Sequence, residues 1–86
     1  MRRDPEFFGE TELVLLYIGK KLSDCKAVEA LLDNAGIDYA IEVDYFTGGV
    51  LFRRQRAGAF FYTLPGSHAI AAQTLQSAGH PPATDP

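Results

Sequence analysis

The stretch LVLLYIGKKLSDCKAVEALLDNAGIDY, from Leu13 to Tyr39, carries the fold reading. Leu13 to Ile18 is a continuous apolar run bounded by polar residues. It is too short for a buried helix and suits a central strand covered on both faces. Cys25, Val28, Leu32 and Ala35 then recur at i, i+3, i+7 and i+10, with Leu31 alongside. That spacing makes one apolar helical stripe, with Lys26, Glu29 and Asp33 pointing away. Ser23 or Asp24 is placed to accept hydrogen bonds from the first free backbone N–H groups of the helix. Gly36 tolerates a left-handed backbone and is a natural stop. Tyr39 to Val43 is rich in strand formers. Strand, helix and strand predict a βαβ unit with a right-handed crossover and two parallel strands.

Outward from this unit the pattern is more open. Tyr45-Phe46-Thr47-Gly48-Gly49 reads as a break. Val50 to Arg56 reads either as a short helix or as a strand paired through the Gly-Gly turn. Ala59 to Thr63 predicts a strand. Leu64-Pro65-Gly66-Ser67 fits a type II turn, with proline at i+1 and glycine at i+2. His68-Ala69-Ile70 would then return antiparallel, and Ala71 to Ala78 would form a short closing helix ended by Gly79 and Pro81. Residues 1–10 are expected to be a flexible N-terminal segment, 11–79 a folded domain, and the proline-rich 80–86 a disordered tail.

At 86 residues the chain has room for one domain. Such a domain buries only about 60% of its unfolded surface, so its stability should be modest. A net charge of −3 offers no general argument for nucleic-acid or membrane binding. One cysteine cannot form an internal disulfide, which suits a reducing cytosol, and a cytoplasmic monomer is expected. Asp4, Pro5 and Glu6 follow the two N-terminal arginines without an apolar core, which argues against a signal peptide. No run approaches the ~18 apolar residues of a membrane span.

Leu22-Ser23-Asp24-Cys25-Lys26, between a strand and an amphipathic helix ended by Gly36, resembles the glutaredoxin branch of the thioredoxin-like superfamily. Those proteins show strand, Cys-x-x-Cys, Lys or Arg, amphipathic helix, Gly, strand. The resemblance covers roughly residues 12–78 and is best over 12–44. It implies an α/β, thioredoxin/glutaredoxin-like fold of order β-α-β-(α)-β-β-α with a four-stranded mixed sheet. If Val50 to Arg56 is a strand, a more β-rich α+β domain results.

The resemblance also implies a site. Cys25 takes the second, less exposed position of the motif, and Leu22 takes the place of the nucleophile. Leucine offers no atom for a helix dipole to activate. Thr63-Leu64-Pro65 is similar to the family's cis-proline segment, although Pro65 fits the hairpin turn better. The Gly-Gly that holds a glutathione carboxylate in the family has no clean counterpart; Ala71-Ala72 is the nearest small pair. Catalysis, if present, would fall to Cys25. Lys20, Leu22, Ser23, Asp24 and Pro65 would contact a ligand, with glutathione or a protein thiol as the implied partner.

Plainer readings stand beside these. Cys25 shares its stripe with Val28 and Leu32, which favours its reading as a small buried apolar residue. Lys20, Lys21 and the Arg53, Arg54, Arg56 cluster read as a solvated charged face. His68 reads as a surface strand residue. No histidine spacing supports a Cys–His nucleophile or a zinc site, and no paired carboxylates or phosphate loop are present. Two functions follow: a glutaredoxin-like protein acting as a monothiol or binding a thiol ligand through Cys25, or a non-catalytic protein-interaction module. Leu22 makes dithiol-disulfide oxidoreductase activity an unfavourable expectation.

Overall fold

The computed structural model describes residues 1–48 and 54–83. A 3₁₀ turn at Pro5–Phe8 precedes strand β1 (Val14–Gly19), helix α1 (Leu22–Asn34), strands β2 (Tyr39–Gly48) and β3 (Arg54–Thr63), and helix α2 (Pro65–Ser77). The strands form one sheet in the order β1-β3-β2, and β3 is antiparallel to both neighbours. β1 and β2 therefore run parallel, but β3 lies between them in a split β-α-β arrangement.

This corrects the thioredoxin/glutaredoxin-like fold with its four-stranded mixed sheet. The described residues form a small α+β fold with a three-stranded antiparallel sheet and two α-helices. Two local pressures explain the change. β2 and β3 are adjacent in sequence and pair over ten residues each, from Tyr39 opposite Thr63 to Gly48 opposite Arg54. A short connection makes that pairing cheap in chain entropy. β3 also carries Ala59-Phe60-Phe61-Tyr62, which is apolar on both faces and suits a central position. β1, expected at the centre, is an edge strand. Arg54-Gln55-Arg56 belongs to β3, as the more β-rich reading had it; residues 50–53, including Phe52, lie outside the described residues.

The core lies between the sheet and the two helices. Leu16, Val28, Leu32, Ile37, Tyr39, Phe61, Ala71, Ala72 and Leu75 form one buried cluster. In β1 the register slips between Leu15 and Tyr17, so Leu16 is the extra residue of a bulge. The bulge lets Leu16 and Tyr17 both reach this core.

Both helices end in the same way. Gly36 at φ +69 allows Ile37 N–H to reach Leu32 O at 3.0 Å and Gly36 N–H to reach Asp33 O at 3.1 Å. Gly79 at φ +84 allows His80 N–H to reach Leu75 O at 2.9 Å and Gly79 N–H to reach Gln76 O at 3.1 Å. Each pair of bonds satisfies carbonyls that a helix C-terminus leaves free. Gly36 thus stops α1 as expected. The start of α1 differs from expectation: Lys21 is the N-cap and makes no side-chain cap bond, while Ser23 and Asp24 lie within the first turn.

The second helix is the largest local correction. Pro65 is neither a cis-proline nor a hairpin-turn residue; every described peptide bond is trans and Pro65 opens α2. The first helical position needs no N–H donor and favours proline's fixed φ. His68 to Ile70 is helix rather than strand. His68, Ala71, Ala72 and Leu75 form its buried i, i+3, i+4, i+7 stripe. His68 Nε2–H donates to Leu15 O at 3.2 Å, which ties α2 to β1.

The chain ends flank the sheet. Tyr39 N–H donates to Met1 O at 3.1 Å and Arg3 N–H to Tyr39 O at 2.7 Å, which lays the first residues along β2. At the other edge Ala83 N–H donates to Leu16 O at 2.8 Å, and the His80 ring sits edge-on to Tyr17 at 6.2 Å.

Thr63 is fully buried, and its hydroxyl finds no hydrogen-bond partner. A buried unpartnered hydroxyl costs about 1–3 kcal/mol. Thr63→Val keeps the shape and removes that cost, so it should raise stability by about 1 kcal/mol in urea unfolding. A loss of stability would show that the hydroxyl is bonded in solution.

Candidate binding site at the start of helix α1

β1 ends at Gly19, opposite Ala59 of β3, and the chain turns through Lys20 and Lys21 into α1. The turn leaves an open depression of about 200 Å³ between the helix start and the sheet. Lys20, Lys21, Leu22 and Cys25 line one side, and Gly19, Val43, Gly58 and Ala59 the other. Two of its apolar side chains face water. Leu22 is 71% exposed and Val43 is 55% exposed.

Cys25 enters from the fourth position of α1, where its N–H makes the first helical bond, to Lys21 O at 3.0 Å. The thiol is half-buried and packs against the core cluster. Its Sγ occupies the space that a Cβ on residue 19 would fill, which explains a glycine at the end of β1. Burial pushes the thiol pKa above its ordinary value, and the negative charges of Asp24 and Glu29 push the same way; a bond to its own backbone N–H opposes them. The thiol is thus held protonated, unlike the low-pKa cysteine of a redox site.

Two tyrosines share this behaviour. Burial raises the Tyr17 pKa, with help from the charges of Asp24 and Cys25. Burial also raises Tyr39, whose hydroxyl donates to Asp33 Oδ1 at 3.1 Å. All three groups bind their protons more tightly when folded, so the native state holds more protons than the unfolded chain in alkaline solution. The resulting stabilisation is fully present below the ordinary cysteine value of 9.0, begins to fall as pH passes the ordinary cysteine and tyrosine values of 9.0 and 10.0, and is lost as pH rises through the higher folded values. Urea midpoints should fall between pH 8 and about 10.5, and Tyr39→Phe should flatten the slope. A flat profile in the parent protein would refute the assignment.

The structure brings together three of the six residues named from sequence: Lys20, Leu22 and Cys25. Exposed Ser23 and half-buried Asp24 share the first helical turn without lining the depression. Pro65 is elsewhere. It follows Thr63, which pairs with Val14 at the far end of β1 from Gly19. Six residues of chain from Ala59 place it roughly 15–20 Å from the cysteine end. Ala71 and Ala72 are buried in α2 and present no carboxylate site. The sequence reading missed Gly19, Val43, Gly58 and Ala59. The glycine before two lysines signals a close approach, but Val43, Gly58 and Ala59 join the site only through the β2–β3 register.

A larger depression of about 290 Å³, lined by Pro5, Leu13, Ala40, Glu42 and Tyr62, includes none of the named residues. Among the described residues no group of three His, Cys, Asp or Glu side chains could hold a metal ion, and no helix is long and apolar enough to cross a membrane. No protein-family model, curated protein sequence or solved structure matches the chain.

Proposed function

We propose that this domain is a non-catalytic interaction module and that the depression at the start of α1 receives a protein segment. The observation that carries this reading is the exposure of Leu22 and Val43 on either side of an apolar hollow, next to Lys20 and Lys21. An exposed apolar pair rimmed by charge suits contact with another protein. The pair of lysines favours an acidic partner. Redox action through Cys25 has less support, because the thiol is half-buried and its pKa is raised.

A titration followed by NMR separates the two readings. The probe is a short acidic and apolar peptide, acetyl-EVDVE-amide, set against reduced glutathione. The peptide is expected to shift the amides of Lys20 to Cys25, with Cys25→Ser unchanged and Leu22→Asp about tenfold weaker, a loss of about 1.4 kcal/mol. Binding of glutathione that requires Cys25 and ignores Leu22 would favour thiol chemistry and sink the proposal.

A further inference from the structure

The three strands are unequal in reach. β1 stops at Gly19 opposite Ala59, whereas β3 continues back through Gly58 to Arg54, paired with β2 alone. Among the described residues no strand pairs with Arg54–Gly58 on the side where β1 would continue. Every second residue of that segment directs its N–H and C=O toward this side, as in any edge strand. A ribbon of two strands is marginal by itself, and a third strand would add stabilisation.

We infer that the edge of β3 from Arg54 to Gly58 accepts an extended, acidic peptide segment of a partner protein as an added strand. The inference rests on the binding reading above and specifies its geometry. The added strand prolongs the line of β1 beyond Gly19 and so runs over the depression, which includes Gly58 and Ala59 of the same β3 edge. Main-chain hydrogen bonds supply the affinity of strand addition, and pockets for alternate side chains supply its selectivity. One apolar side chain of the segment fills the hollow between Leu22, Cys25 and Val43. Charge selects an acidic segment. Lys20 and Lys21 are exposed at the helix start, beside the point where the added strand would begin. Positive charge there also deters pairing between two identical edges, which favours a different partner over a second copy.

The test uses the full chain, uniformly labelled with ¹⁵N, and acetyl-EVDVE-amide. Two control peptides are acetyl-EVPVE-amide, whose central proline cannot donate to a ladder, and acetyl-KVKVK-amide. Expected are amide shifts over Gly19 to Cys25 and Arg54 to Ala59, and slower hydrogen exchange at alternate amides of Arg54–Gly58. Both controls should bind at least about tenfold more weakly. Shifts over Lys20 to Cys25 without protection of Arg54–Gly58 would overturn strand addition and leave the binding module standing. No shift anywhere at millimolar peptide would overturn both. Equal binding of the lysine peptide would overturn the acidic selectivity. Concentration-dependent protection of Arg54–Gly58 without peptide would overturn the heterologous partner in favour of a second copy.

Discussion

Phe61→Ala is expected to destabilise the protein by about 3–5 kcal/mol, the range for deleting a buried phenylalanine ring. Phe61 lies on the central strand and is fully buried. Its ring meets Tyr17 edge-on at 5.9 Å and Tyr39 in a tilted contact, also at 5.9 Å. Removing it opens a cavity in the core shared with both helices, and the ring neighbours that would have to collapse, Tyr17 and Tyr39, come from the two flanking strands. A domain of this length has a total stability of roughly 4–13 kcal/mol, so the substitution should remove a large fraction of it. Urea unfolding followed by circular dichroism measures the loss. Phe61→Leu keeps most of the volume and should cost about 1–2 kcal/mol less than the alanine variant. A loss below about 1 kcal/mol for Phe61→Ala would contradict the central place of β3.

Gly19→Ala is expected to cost about 1–3 kcal/mol by overpacking. The sign makes this informative. Gly19 is not among the glycines with positive φ, so alanine meets no backbone penalty there, and in a strand alanine would ordinarily stabilise by roughly 0.5–1 kcal/mol. The added methyl group overlaps the Cys25 Sγ, while Tyr17 Cε2, at 3.4 Å, is in ordinary contact. Cys25→Ala removes the obstructing sulfur. The double variant should therefore recover most of the loss, which gives a coupling of about 1–2 kcal/mol between the sites. A stabilising Gly19→Ala would mean that the thiol points elsewhere. The pair of variants measures directly whether Cys25 serves packing rather than chemistry.

The same contact shows how much of the site was legible. Cys25 on an apolar helical stripe and Lys20 before it are readable from spacing, because a helix has a fixed period and its start has fixed donors. Val43 carries no such signal. It reads as an ordinary strand residue, and it joins the site only through the β2–β3 register that sets it opposite Ala59. Pro65 was misplaced because Leu-Pro-Gly-Ser satisfies two local rules equally, a type II turn and the first turn of a helix. The arbiter was the stripe of His68, Ala71, Ala72 and Leu75, which spans the boundary drawn between a short strand and a short helix.

Local chemistry therefore settled β1, α1 with its Gly36 stop, and the core of β3, since apolar runs, helical periodicity and a left-handed glycine act over a few residues. Tertiary structure decided the order of the strands. Nothing within Leu13 to Tyr39 states that the next strand will fold back between β1 and β2. That choice depends on the short path from β2 to β3 and on the two-faced apolar character of Phe60-Phe61-Tyr62, which is best buried at the centre. It also shaped the candidate site. Because β3 is central and longer than β1, no described strand pairs with Arg54–Gly58 on the side of β1, and a stretch that read from sequence as a degenerate redox motif lines a depression shared with Gly58 and Ala59.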